Sequence, residues 1–168
     1  MLPEESTDIV LGCESASIEF AFGPVERDHF QICTRLQYFD KRFQDSRLFY
    51  GMDLSYFADS LAGLHANLTG SVRFTDWDGE LVLCLSVFDR HRGGIAIGGQ
   101  LIPAAFESQA ISAANVIGRP IFGMHGGIRI AFEGLVTDQS YLPPVFQGFR
   151  RFIFERGISV QNPLEQSP

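Results

Sequence analysis

The residues with most chemistry to offer are spread thinly along this chain. The four histidines, His29, His65, His91 and His125, stand far apart, and the cysteines Cys13, Cys33 and Cys84 are widely spaced. Zinc needs ligands in close pairs, and neither an H-x₃-H nor a paired-cysteine spacing occurs, so no metal and no cofactor is expected. Three cysteines at such distances also argue against a disulfide framework. No G-x-S-x-G elbow occurs that would place a serine nucleophile.

Four short stretches remain. "TDWDG" holds Asp76, Trp77 and Asp78, and two carboxylates two residues apart could begin a calcium loop. Such a loop needs a glutamate nine residues after Asp78, where Val87 stands. The stretch therefore reads as a hairpin turn, with Asp78-Gly79 as a two-residue turn and Trp77 as a candidate interface anchor. "DRHRGG" carries Arg90, His91 and Arg92, which could hold an anion, but its paired glycines predict a solvated hairpin loop. "RPIFGMHGG" combines Arg119 and His125 with glycines. A pocket there, with Glu133 as carboxylate, is the alternative reading, either a small-ligand module or an enzyme with a lid. Asp138 stands where a strand meets a helix, and its expected task is to accept backbone N–H bonds near Ser140 and Tyr141.

The elements that must position these residues follow from periodicity. "SIEFAF" and "FQICTRLQYF" alternate with a period of two and predict strands, the first broken at Gly23-Pro24. Phe30, Ile32, Leu36 and Tyr38 share one face of the second. "DKRFQDSR" reads as a charged loop before a short "LFYG" strand. Leu54, Phe57, Leu61, Leu64 and Leu68 recur three or four apart, so a helix is expected, capped by Asp53 and leaving at Asn67 and Gly70. "SVRFTDW", "ELVLCLSVF" and "GIAIGGQLI" predict a three-strand meander. Its middle strand is apolar on both faces, as a strand covered on both sides would be. Gly98 and Gly99 suggest a bulge or a close approach by a neighbour. "GIRIAFEGLV" predicts a further strand. Val145, Phe146, Phe149, Phe152 and Ile153 predict a last helix starting at Pro143 or Pro144 and ending before Gly157.

Strands come in runs rather than alternating with helices, so the fold class is α+β: a mostly antiparallel sheet packed by two amphipathic helices. The core should include Leu83, Leu85, Phe57, Leu61, Phe149 and Phe152. One domain is expected over 1–168, with its core over about 8–158 and a fraying tail at 159–168. Hydrophobic residues make up 45% and charged residues 20%, which excludes a disordered chain. Sixteen phenylalanines supply large buried areas or a sticky interface.

The formal charge of -7 argues against nucleic-acid binding and suits a basic protein partner steered by opposite charge. The acidic N-terminus lacks the basic and apolar regions of a signal peptide, and no apolar run is long enough to span a bilayer. A cytoplasmic protein without a membrane is expected. The candidate partner-contact edge is Asp76, Trp77 and Asp78 with Arg90, His91 and Arg92, since loops leaving a rigid sheet carry contacts.

Residues 54–154 resemble the WapI-type bacterial immunity family. The resemblance rests on Phe57 and Leu61 in a helix before a meander, on Gly94 with Ile95 and Ile97, and on "TDQSYL" from Thr137 to Leu142. The stretch 103–126 and Pro143-Pro144 depart from it. The resemblance implies a non-catalytic, cytosolic protein that binds and neutralises a cognate toxin domain, with no catalytic residues to carry over.

Overall fold

The computed structural model describes residues 7–13, 15–26, 29–76, 78–102 and 129–161. The fold is α+β, with two antiparallel four-stranded meanders and two helices. The first sheet has the order β1 (Thr7–Cys13), β2 (Ala16–Glu26), β3 (His29–Tyr38), β4 (Lys41–Tyr50). Helix α1 (Gly51–Asn67) leads to the second sheet, ordered β5 (Ser71–Thr75), β6 (Val82–Asp89), β7 (Gly94–Leu101), β8 (Ile130–Asp138). A 3₁₀ turn over Gln139–Tyr141 enters α2 (Leu142–Glu155). The strands expected as one sheet thus divide in two.

One hydrophobic cluster joins both sheets and both helices. Phe57, Leu61, Leu83, Leu85, Phe149 and Phe152 are all buried, as their periodicity predicts. Phe74 of β5 stacks on Phe49 of β4 at 4.7 Å between centroids and on Phe57 of α1 at 4.4 Å. Phe149 meets Phe20 edge to face at 5.3 Å. Several of the sixteen phenylalanines therefore fill the seam where sheets and helices meet.

Local details depart from the sequence reading in four places. Strand β2 does not stop at Gly23-Pro24; a bulge between Phe22 and Val25 absorbs the irregularity and pairing with β3 continues to Glu26. "DKRFQDSR" is not a loop: it is most of β4, paired with β3 from Lys41 to Tyr50. Strand β6 is interior to its sheet but covered on one side, since Cys84 is exposed and Phe88 is 60% exposed. An antiparallel sheet needs only one buried face. Asp53 caps α1 from inside its first turn, accepting the Tyr50 N–H at 3.0 Å, while Tyr50 holds the N-cap position.

Other expectations stand. The register shifts between Ile97 and Gly99, with the extra residue on β8 between Phe132 and Leu135, and a Cβ at Gly99 would lie 2.1 Å from the Val82 carbonyl oxygen, the close approach of a neighbour that the glycines allow. Only glycine permits that approach. Helix α2 begins at Leu142, one residue ahead of the expected Pro143, and ends at Glu155 with Arg156 as its C-cap, before Gly157 at φ 59°.

Candidate functional site

The inward row of β4 reads Phe43, Asp45, Arg47, Phe49, opposite Leu36, Thr34, Ile32 and Phe30 of β3. Two charged side chains thus point into the core. Asp45 is fully buried and Arg47 is 8% exposed. Buried charge is costly unless paired, and these are paired. Arg47 Nε lies 2.9 Å from Asp45 Oδ1, and Arg47 Nη1 meets the buried Glu80 Oε2. Asp45 Oδ2 accepts the Ile102 N–H at 3.1 Å. Glu80 precedes β6 and Ile102 follows β7, so this cluster ties the edge strand of the first sheet to the second.

Asp76 completes it. The β5–β6 connection is wider than a two-residue turn: the Asp76 N–H donates to the Leu81 carbonyl at 3.3 Å, and Gly79, at φ 71°, donates to the Asp76 carbonyl at 3.2 Å. Asp76 Oδ1 accepts the Glu80 N–H at 2.7 Å and the Leu81 N–H at 3.0 Å. One carboxylate oxygen therefore organises the whole turn. Burial pushes the Asp76 carboxyl above its usual range, and the charge of Asp78 adds to the rise; the two N–H bonds and Arg47 oppose it.

A cleft of about 410 Å³ opens beside the cluster, lined by His29, Ser46, Arg47, Leu48, Tyr50, Asp76 and Asp78. The His29 and Tyr50 rings lie 6.4 Å apart at 66°. Leu48, on the outward row of β4, is 58% exposed. The cleft thus joins an apolar wall, two rings, and carboxylates at one rim.

The structure divides the sequence-derived contact edge. Asp76 and Asp78 stand before β6, whereas Arg90, His91 and Arg92 stand after it. The strand β6 between them spans about 23 Å from its first residue to its last, at a rise of ~3.3 Å per step. Asp76 is a buried turn anchor that lines the cleft, and Asp78 is exposed. Arg90, His91 and Arg92 are exposed, in a turn where Asp89 Oδ1 accepts the His91 and Arg92 N–H groups at 3.0 and 3.1 Å. Trp77, Arg119 and His125 lie outside the described residues. Glu133 is exposed on β8.

Asp138 accepts the Ser140 N–H at 2.6 Å and caps the 3₁₀ turn. It closes a short turn before the last helix, as expected.

Sequence reasoning missed Asp45, Arg47 and Glu80. Tyr38 shares the face of Phe30, Ile32 and Leu36, as its spacing predicts, but with Phe39 it sits at the β3–β4 hairpin tip, 48% and 65% exposed. Phe39 adopts φ 51°, a region bulky residues avoid. Its N–H donates to the Ser15 carbonyl at 2.7 Å.

Among the described residues, no three His, Cys, Asp or Glu side chains group as metal ligands would, and no helix is long and apolar enough to cross a membrane. No protein-family model matches the chain, no curated protein matches its sequence, and no solved structure matches its fold.

Proposed function

We propose that the chain is a non-catalytic, protein-binding protein of the bacterial cytoplasm, an immunity protein that neutralises a basic toxin domain. The observation that carries this reading is the cleft rim at the sheet junction. Exposed Asp78 and exposed Leu48 flank a recess whose walls are fixed by buried ion pairs. A rigid surface that presents carboxylate beside apolar area suits a protein contact, because little ordering is left to do on binding. The net charge of -7 would steer a basic partner toward it. The hairpin tip supports the same reading, since two exposed aromatic rings on a left-handed turn bury little in their own fold and can anchor a partner. The resemblance at Thr137–Leu142 supports immunity as the purpose of that binding.

The test is co-expression with the toxin domain encoded by the adjacent gene. Growth should be rescued, and the two chains should co-elute from a sizing column. Association should slow as salt rises, because charges more than about 8–10 Å apart are screened at physiological ionic strength. Asp78→Arg should lower the association rate. A toxin whose activity the chain leaves untouched would remove the reading.

A further inference from the structure

We propose that the cleft beside the β5–β6 turn is a receptor for one organic cation, a guanidinium or primary ammonium group, held by Asp76 and Asp78 against the His29 and Tyr50 rings. The ligand's chemistry is read from what the cleft leaves unused. Asp76 is only 5% exposed, and both backbone N–H groups it accepts go to Oδ1. Among the described residues Oδ2 takes no hydrogen bond, and it is the oxygen left for the cleft that Asp76 lines. Asp78 lines the same cleft, near enough that its charge acts on Asp76. Two neighbouring carboxylates, one of them desolvated, gain from a cation placed between them.

Arg47 also reaches the wall, but its guanidinium is engaged with Asp45 and Glu80. Its pull on Asp76 is outweighed by burial. Tyr50 adds an aromatic face of the kind that attracts cations, and neutral His29 a flat wall beside it. Leu48 offers an apolar surface for the alkyl stem of an arginine, lysine or amine. The volume, about 410 Å³, suits a small ligand or one long side chain. A bare metal ion fits less well. Calcium wants six to eight oxygen ligands and magnesium a near-ideal octahedron, whereas a guanidinium spans two carboxylates with forked N–H donors.

The cation could come from a free small amine or from an arginine or lysine of the toxin, and this second source rests on the function proposed above. Titration of the ¹⁵N-labelled protein with N-acetyl-arginine methylamide, followed by the Asp78, Glu80 and Leu81 amide signals, tests the chemistry. Saturable shifts are expected there. The citrulline twin, which has the same shape without the charge, should bind at least tenfold more weakly. Asp78→Asn, at an exposed position, should also weaken the arginine probe several-fold. Asp76→Asn keeps a turn acceptor and should weaken it further. Equal binding of the citrulline twin, or shifts confined to other surfaces, would overturn the proposal, as would equal shifts with calcium chloride at matched ionic strength.

The sources separate cleanly. Saturation by the free probe without any toxin rescue supports a small-molecule site and removes the immunity reading. Toxin binding that weakens in Asp78→Asn and on neutralising one toxin arginine or lysine supports the side-chain source. Toxin rescue indifferent to Asp78→Asn and Asp76→Asn, with no probe binding, keeps immunity and removes the cation cleft.

Discussion

Asp76 and Asp138 do the same local work in opposite surroundings. Each stands at the end of a strand, and each accepts backbone N–H bonds that shape the next turn. Asp138 is exposed, and its carboxyl is held below the usual range by the Ser140 hydroxyl and the Ser140 N–H. Asp76 is buried, and its carboxyl rises because desolvation outweighs the two N–H bonds it accepts. The hydrogen bonds decide the backbone; the solvent decides the charge. A solvated cap needs nothing more. A buried cap near the Asp45, Arg47 and Glu80 cluster keeps the cost of its own desolvation, and a proton or a ligand cation can relieve that cost.

The largest test of this contrast removes Arg47, the one buried cation among the described residues. Arg47→Met leaves Asp45 and Glu80 in the core without their partner, and should cost about 3–5 kcal/mol in a urea melt, because breaking a buried pair strands the opposite charge. A loss within the range of surface substitutions, about 0.5 kcal/mol, would mean that the cluster is not buried as described.

Next comes Asp76 itself. Asp76→Ala leaves the Glu80 and Leu81 N–H groups without an acceptor, at about 1–3 kcal/mol for each group so stranded. Asp76→Asn retains an oxygen for both and removes a desolvated charge, so its melt should lie within about 1 kcal/mol of wild type. If the two variants melt together, the carboxylate oxygen is not what organises the turn.

These residues also explain which parts of the fold were legible. Both helices and the β5–β7 meander carry uninterrupted apolar periodicity, so their existence could be read directly. Strand β4 could not, because two of its four inward positions are Asp45 and Arg47. A buried ion pair breaks the period-two signal at the very place where the candidate site forms. The partners that make those charges tolerable, Glu80 and Ile102, lie 33 and 57 residues away from Arg47 and Asp45 in sequence, and only the tertiary fold brings them in. Asp138 was legible because its bond reaches only Ser140, two residues on. The burial of Asp76 was not legible for the converse reason: its turn is local, but its burial depends on the tertiary fold.

Titration sharpens the comparison further. The folded-state pKa of Asp76 is raised, so the native state binds the proton more tightly than the unfolded chain does. The stability this contributes is full below the unfolded value, near 3.8, and is lost as pH rises through the folded value. Wild type should therefore lose stability relative to Asp76→Asn as pH climbs across that window. Chemical denaturation of both proteins at a series of pH values measures the difference. A difference that does not change with pH would show that Asp76 is ionised at no net cost.

The smallest effect belongs to Asp138, and its sign is reversed. Its folded pKa is lowered, so its contribution is present above the unfolded value, near 3.8, and fades as pH falls through the folded value. Solvent screens the exposed carboxylate, and the main loss on truncation is the cap. Asp138→Ala should cost about 0.5–1 kcal/mol, and Asp138→Asn only a few tenths, since asparagine also accepts the Ser140 N–H. Thermal melts at neutral pH and near pH 3 distinguish the two states. The Ala variant should approach wild type at the lower pH, where the wild-type carboxylate begins to protonate and its cap weakens. Should Asp138→Ala match wild type at neutral pH while toxin binding is lost, Asp138 would be a contact residue and the likeness between the two caps would end at the backbone.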